Sequence, residues 1–298
     1  MEKQLNKKVI MADIGLLFVA IFWGGGFVAG KFALEGLSPL TVVAYRYVGA
    51  TLLMLPFCIT RFKKMTKKTF WVGTVIGMLM VLGTAAQTIG LQYTTPGKQS
   101  FIIALYTVIV PFMTWVFLKA KPPKKIMAAA VLALVGIGFL TLNENLTIGF
   151  GDWLTFIFAI TFSAQIVFIS VFVKELDPYL ITFVQLAVTA VVAIIAAFTF
   201  ETPESLTSLS GAVWAGLLYL IIINTTGAYL LQNICQKIAP PNHTAIILST
   251  ETVFGTIFAV TLANELFTDR MIIGCVFMFI AIIVSELPTK QDKKELCE

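Results

Sequence analysis

Apolar residues run in long stretches along this chain, and ten of the stretches are long enough, or nearly so, to cross roughly 30 Å of hydrocarbon as helices. They cover 12–33, 39–60, 70–92, 97–118, 124–142, 152–173, 178–200, 211–235, 242–263 and 270–287. No water is available in a bilayer core to satisfy backbone groups, so helices are the form these segments take. The pattern therefore predicts an all-α polytopic membrane protein with ten transmembrane helices.

The pattern is also written twice. A shift of 139 residues places Asp13 on Asp152, Ala20 on Ala159, Val28 on Val167, Leu37 on Leu176 and Pro39 on Pro178. Later in each copy, Thr95-Pro96 recurs as Ala239-Pro240, 144 residues on. Segments one to five match segments six to ten, and five is odd, so the second copy is expected upside down relative to the first. The expected organisation is a tail over 1–11, one repeat over 12–143, a second over 151–287, and a tail over 288–298.

Composition agrees with the segments: mean hydropathy is +0.91 and charged residues make up 12%, against about 25% in soluble domains. Lys and Arg set the orientation. Seventeen lie in the N-terminal tail and in the loops after even-numbered segments, against three on the other side; this asymmetry places both termini in the cytoplasm of a cytoplasmic-membrane protein. The net charge of +5 comes from short lysine runs between apolar segments, which reflects topology and argues against nucleic acid. Lys3, Lys7 and Lys8 precede the first segment as in a signal peptide, but its length and the lack of a small-x-small site read as a retained anchor. Four cysteines without a C-x-x-C pair, one histidine (His243) and no phosphate-loop motif leave no metal site, disulfide framework, cofactor or ATP motor expected.

Phe22-Trp23-Gly24, Arg46 and Leu105-Tyr106-Thr107-Val108-Ile109-Val110-Pro111 in the first repeat carry a resemblance. So do Leu248-Ser249-Thr250-Glu251-Thr252-Val253-Phe254 and Asn264-Glu265-Leu266-Phe267-Thr268 in the second. The chain resembles EamA-type members of the drug/metabolite transporter superfamily over its whole membrane portion. It departs from the family in two places: Glu251-Thr252 stands where a Glu-Pro pair is usual, and Lys119-Ala120-Lys121 where a Lys-Glu-Arg-like turn is common. The resemblance implies ten helices around a central cavity and movement of a small metabolite, often outward.

Ionisable groups inside the bilayer cost roughly 2.5–3.5 kcal/mol each, so each needs a reason. Arg46 offers a bidentate grip for a carboxylate or phosphate; Glu251, near the middle of segment nine, is a candidate for proton coupling. The alternative for both is structural pairing, with each other or with polar neighbours. Gln87, Tyr106, Gln165, Gln185, Asn224 and Gln232 supply mid-segment polar groups that either face a cavity or join helices. Trp23 sits at mid-depth, away from the interface an indole prefers, and either stacks on substrate or packs on Gly24–Gly26. The repeat suggests that these glycines pack against Ser163 to Gln165. Asp13 and Asp152 are expected at helix N-termini, and Lys98 and His243 are expected to snorkel to the two interfaces.

Together these features predict a secondary transporter of a small metabolite, such as an amino acid or drug, working by alternating access as an exporter. Its expected partners are substrate, lipid and a coupled proton or ion, in a monomer or homodimer. The cavity is expected between segments one to four and six to nine, with five and ten supporting the fold or a dimer. A passive channel would need a continuous polar stripe, and an intramembrane enzyme would need paired catalytic groups; the chain shows neither pattern.

Overall fold

The computed structural model of the protein describes residues 2–119, 121–141, 148–202, 204–205, 207, 209–264, 266 and 268–286. Among them every regular element is helical. The helices are α1 (Glu2–Ala33), α2 (Pro39–Cys58), α3 (Lys67–Leu91), α4 (Pro96–Ile103), α5 (Tyr106–Leu118), α6 (Lys124–Thr141) and α7 (Phe150–Phe172). They continue with α8 (Pro178–Phe200), α9 (Gly211–Tyr219), a π-helical stretch (Leu220–Gly227), α10 (Ala228–Cys235), α11 (Pro241–Ser249), α12 (Glu251–Leu262) and α13 (Asp269–Glu286).

Among the described residues eight helical spans, some of them joining two of these helices, are long and apolar enough to cross a membrane, and the chain is a multi-pass membrane protein. The fifth and tenth expected segments form α6 and α13, 18 residues each, which pack on one another, with Phe139 stacked on Phe277. Asp13 is not at a helix N-terminus: α1 begins at Glu2, so Asp13 lies about three turns inside it. Asp152 does sit in the first turn of α7, where its carboxylate accepts the Gly149 N–H at 2.9 Å.

Two expected helices are broken at matching places. Segment four divides into α4 and α5 at Ala104–Leu105, and segment nine into α11 and α12 at Thr250. No proline or glycine occupies either break. The chain instead tightens to bonds spanning three residues, as in Thr107 N–H to Ala104 C=O (3.0 Å) and Val253 N–H to Thr250 C=O (3.0 Å). Hydroxyls take up nearby carbonyls: Ser249 Oγ donates to Ile246 O, Thr250 Oγ1 to Ile247 O and Thr252 Oγ1 to Ser249 O. Thr252 therefore stands just past a break although the family's proline is missing.

Packing of the bundle rests on glycines where backbones meet. A methyl group on Gly73 would lie 2.6 Å from Val184 Cβ, and one on Gly77 would lie 2.8 Å from the Gln185 carbonyl, so α3 sits directly on α8. Further along α3, a methyl group on Gly90 would meet the Gly151 carbonyl of α7 at 2.9 Å.

The α2–α8 pair is fastened at both ends. At one end, Ser38 makes no side-chain cap for α2; Glu201, just past α8, accepts the Leu40 and Thr41 N–H groups, both at 2.9 Å, and the Ser38 hydroxyl at 2.7 Å. Those N–H groups have no partner within their own helix, and a carboxylate there also meets the positive end of the helix dipole. At the other end, Arg61 pairs with Asp177 at 3.0 Å and lies 4.0 Å from the Tyr179 ring centroid, while Asp177 caps α8 through the Tyr179 N–H. Glu201→Ala is expected to cost about 1–2 kcal/mol of stability, read by thermal unfolding in detergent. Glu201→Gln, which keeps an acceptor oxygen, should recover part of that loss.

Candidate substrate cavity

A cavity, about 590 Å³ counted together with the open space at its mouth, lies among α1, α2, α3, α4, α7, the π-helical stretch, α10 and α12. Its lining residues Gly30, Val42, Leu91 and Gln99 lie within the last or first turn of their helices. They place it toward the end of the bundle that carries the 34–38 and 92–95 connections. Segment seven, expected to line the site, contributes no lining residue.

One side chain organises the polar wall. The π-helical stretch adds a residue to the turn, visible in the Ala228 N–H bonding the carbonyl of Ile223 five residues back. This stretch presents Asn224 and Thr225 together. Asn224 Oδ1 accepts from Arg46 Nη2 at 2.6 Å, its Nδ2 donates to the Phe22 carbonyl at 3.0 Å, and its own carbonyl accepts from Trp23 Nε1 at 3.0 Å. Thr225 Oγ1 accepts from Arg46 Nε at 2.5 Å. Asn224 thus ties α1 and α2 to the second half of the chain.

Gly24, Gly25 and Gly26 make this approach feasible. A Cβ on Gly26 would collide with the Asn224 amide, one on Gly25 with the Tyr219 hydroxyl, and one on Gly24 with Phe254 Cβ at 2.6 Å. The expected packing of these glycines on Ser163 to Gln165 does not occur; their partners are the π-helical stretch, Tyr219 and α12. Trp23 lines the cavity with its ring 5.2 Å from that of Phe162, edge to face, and 5.4 Å from that of Tyr229.

Arg46, on α2, is 8% exposed and bonded to two neutral acceptors, with its guanidinium 5.2 Å from the Tyr47 ring centroid. Glu251 opens α12 at the helix break, is 3% exposed and has Oε1 without a hydrogen-bond partner among the described residues. Both line the cavity, yet they form no ion pair with each other. Of the two alternatives for Arg46, structural bonding to polar neighbours is present; pairing with Glu251 is not.

Gln87 also lines the cavity, its carbonyl accepting from Gln99 Nε2 at 2.9 Å. Tyr106 is fully buried beside Glu251, against the Phe162 ring, and is not part of the lining. Gln165, Gln185 and Gln232 are buried elsewhere, toward the opposite end of the bundle. There Asn233 bonds Thr182 and Gln185, and Gln236 bonds the Ile166 carbonyl. Lys98 does not simply snorkel: it pairs with buried Asp152 at 2.7 Å. The side chain of His243 lies outside the described residues.

Sequence reading missed Thr225, Gln99 and Tyr229 at the site. Gln99 carried a signal, being a buried-type amide one turn after Pro96; the other two carried none without the register of the π turn. Among the described residues no group of three or more His, Cys, Asp or Glu side chains is placed to hold a metal ion.

A family model described as the EamA-like transporter family matches residues 10–142 and, a second time, 149–287. An uncharacterized transporter of Archaeoglobus fulgidus is 33% identical over 94% of this chain and 87% of its own length. The uncharacterized transporter YyaM of Bacillus subtilis is 24% identical over 91% of this chain and 92% of its own length. A solved crystal structure superposes with a TM-score of 0.73 at 15% identity, over 93% of this chain and 96% of that one, a likeness in fold alone.

Proposed function

This chain belongs to the EamA-like transporter family, and from that membership we propose that it is a secondary transporter that exports a small metabolite by alternating access. The observation that carries the reading is the cavity between the two halves of the chain, walled by Trp23 and lined by a buried arginine and a buried glutamate. Its walls come from both family-matched regions, as expected of two inverted five-helix repeats around a shared site.

Lysine asymmetry assigns the 34–38 and 92–95 end to the outside of the cytoplasmic membrane and both termini to the inside. On that assignment the cavity opens outward. Gln165, Gln185 and Gln232 then belong to the closed inner half of the path. Their amide atoms without a hydrogen-bond partner among the described residues are suited to line it once the inner end opens, because buried amides without partners are uncommon in a permanently packed core. Glu251, beside Tyr106 and on the same cavity as Arg46, is the proton-coupling group, and the unit of function is a monomer or homodimer.

The test is flux into liposomes containing purified protein. Saturable uptake from a metabolite mixture, accelerated by substrate on the far side, is expected; unsaturable flux would mark a channel instead. A pH gradient should change the wild-type rate severalfold, and Glu251→Gln should remove that response. A retained response would take the coupling role away from Glu251.

A further inference from the structure

The helix that runs from the cavity to the closed end of the bundle is held unequally in its two halves. α9 meets α1 backbone to backbone: a methyl group on Gly216 would lie 2.5 Å from the Ala29 carbonyl oxygen and 3.1 Å from the Ala33 nitrogen. α10 meets α1 through a side-chain tip, the nearest atom to a methyl group on Gly15 being Cys235 Sγ at 2.6 Å. Toward α7 and α8 it is held by neutral amides. Asn233 Nδ2 donates to Thr182 Oγ1 at 2.8 Å and to Gln185 Oε1 at 3.4 Å, and Gln236 Nε2 to the Ile166 carbonyl at 3.3 Å. Four buried amide atoms of α10 have no partner among the described residues: Gln232 Nε2 and Oε1, Asn233 Oδ1 and Gln236 Oε1. Gln165 Nε2 on α7 and Gln185 Nε2 on α8 are in the same condition. Buried amides are nearly always bonded, so this face of α10 fits its neighbours incompletely in the present register. Between the two halves lies the π-helical stretch with its extra residue, pinned where Arg46 bonds Asn224 and Thr225.

We propose that the π-helical stretch is the hinge of the inner gate. Giving up its extra residue to the connection over 236–240 turns α10 by about 100° and shifts it about 1.5 Å along its axis. α9 stays on α1, because backbone contact cannot yield as a side-chain tip can. The turn breaks the bonds to Thr182, Gln185 and Ile166 and gives the unpartnered amides new positions against α7 and α8. Asn224 and Thr225 are the catch: while Arg46 bonds them the wide register is held, and cargo that draws the guanidinium off Thr225 releases it. The inference rests on the transporter reading and names the moving part of its cycle.

Cysteine pairs read the register in liposomes containing purified protein, oxidised with copper phenanthroline, with the linked peptides identified by mass spectrometry. In a chain carrying Cys58→Ala, Cys275→Ala and Cys297→Ala, Gly15→Cys should link to native Cys235 in the register described here. Once the extra residue is given up, position 234 takes the place of 235. Gly15→Cys with Ile234→Cys and Cys235→Ala should therefore link as well, at least tenfold faster than the same chain with Gln236→Cys in place of Ile234→Cys. Arg46→Gln, which removes the catch, should speed the 234 link at least threefold and slow the 235 link; unchanged rates would take that role from Arg46. On the unaltered chain, hydrogen exchange over 226–235 should be at least tenfold faster than in the middle of α8. A 234 link no faster than the 236 link overturns the hinge, and so does exchange over 226–235 as slow as in α8, which needs no variant to fold. Saturable flux from the metabolite mixture without the 234 link would leave the transporter reading and remove the hinge. The 234 link without saturable flux would do the reverse.

Discussion

Asn224→Ala is expected to lower stability by about 3 kcal/mol and transport by tenfold or more. The change removes one hydrogen bond to a buried guanidinium and one to the Phe22 carbonyl; bonds to charged groups are worth about 1.5–3 kcal/mol and neutral ones about 1. It also frees Arg46 from the position that Asn224 and Thr225 hold at the cavity wall. Asn224→Asp separates the two effects. It keeps the oxygen that Arg46 bonds and places a negative charge on it, but loses the donor to the Phe22 carbonyl, so the protein should recover only part of the lost unfolding temperature while its hold on anionic groups falls. Thermal unfolding in detergent and liposome flux on the same preparations check both. A transport loss that followed stability alone in the two variants would show that Asn224 has no role in placing Arg46.

Gly24→Ala should be nearly as damaging, although it adds only one methyl group. The new Cβ would lie 2.6 Å from Phe254 Cβ and 2.9 Å from the backbone nitrogen of Gly255. A side chain can rotate away from such a contact, but backbone cannot, so α1 and α12 have to separate. Overpacking of this kind costs about 1–3 kcal/mol, and here it also displaces Trp23 and Glu251, which sit on the two helices forced apart. Gly211→Ala is the control. Nothing lies within 4 Å of its added Cβ, and the change should stay within about 0.5 kcal/mol of wild type. Unfolding temperatures decide between them; equal effects at the two sites would rule out the contact as the cause.

The helices themselves were readable from the sequence because a bilayer-length apolar run has few other ways to satisfy its backbone. Helix interruptions were not. Pro96 and Pro240 are visible punctuation, but they start α4 and end a connection, while the breaks come later, at Ala104–Leu105 and Thr250, where only hydroxyl bonding and tertiary contact favour a tighter turn. Asp13 was misread for a related reason: apolarity marks where the bilayer begins, and α1 starts before that point.

The site was half legible. Arg46 and Glu251 stand out because charge is rare in such segments. The amides do not sort themselves: half-buried Gln87 and buried Asn224 line the cavity, whereas Gln165, Gln185 and Gln232 are buried away from it. What separates them is helix register, and around Asn224 the register includes a π turn. The bond between Arg46 and Asn224 joins residues 178 apart, a distance over which periodicity carries no information.

Because α2 and α8 are clamped by Glu201 at one end and by Arg61 and Asp177 at the other, they form an axle. Parting them at either end would break capping bonds or an ion pair, so the alternating access proposed above is expected to turn the remaining helices about this pair. Arg46 is mounted on the axle and keeps its depth. Trp23 and Glu251 lie on α1 and α12, outside the clamped pair, so in the cycle proposed above the Glu251 carboxyl is expected to move past a stationary Arg46.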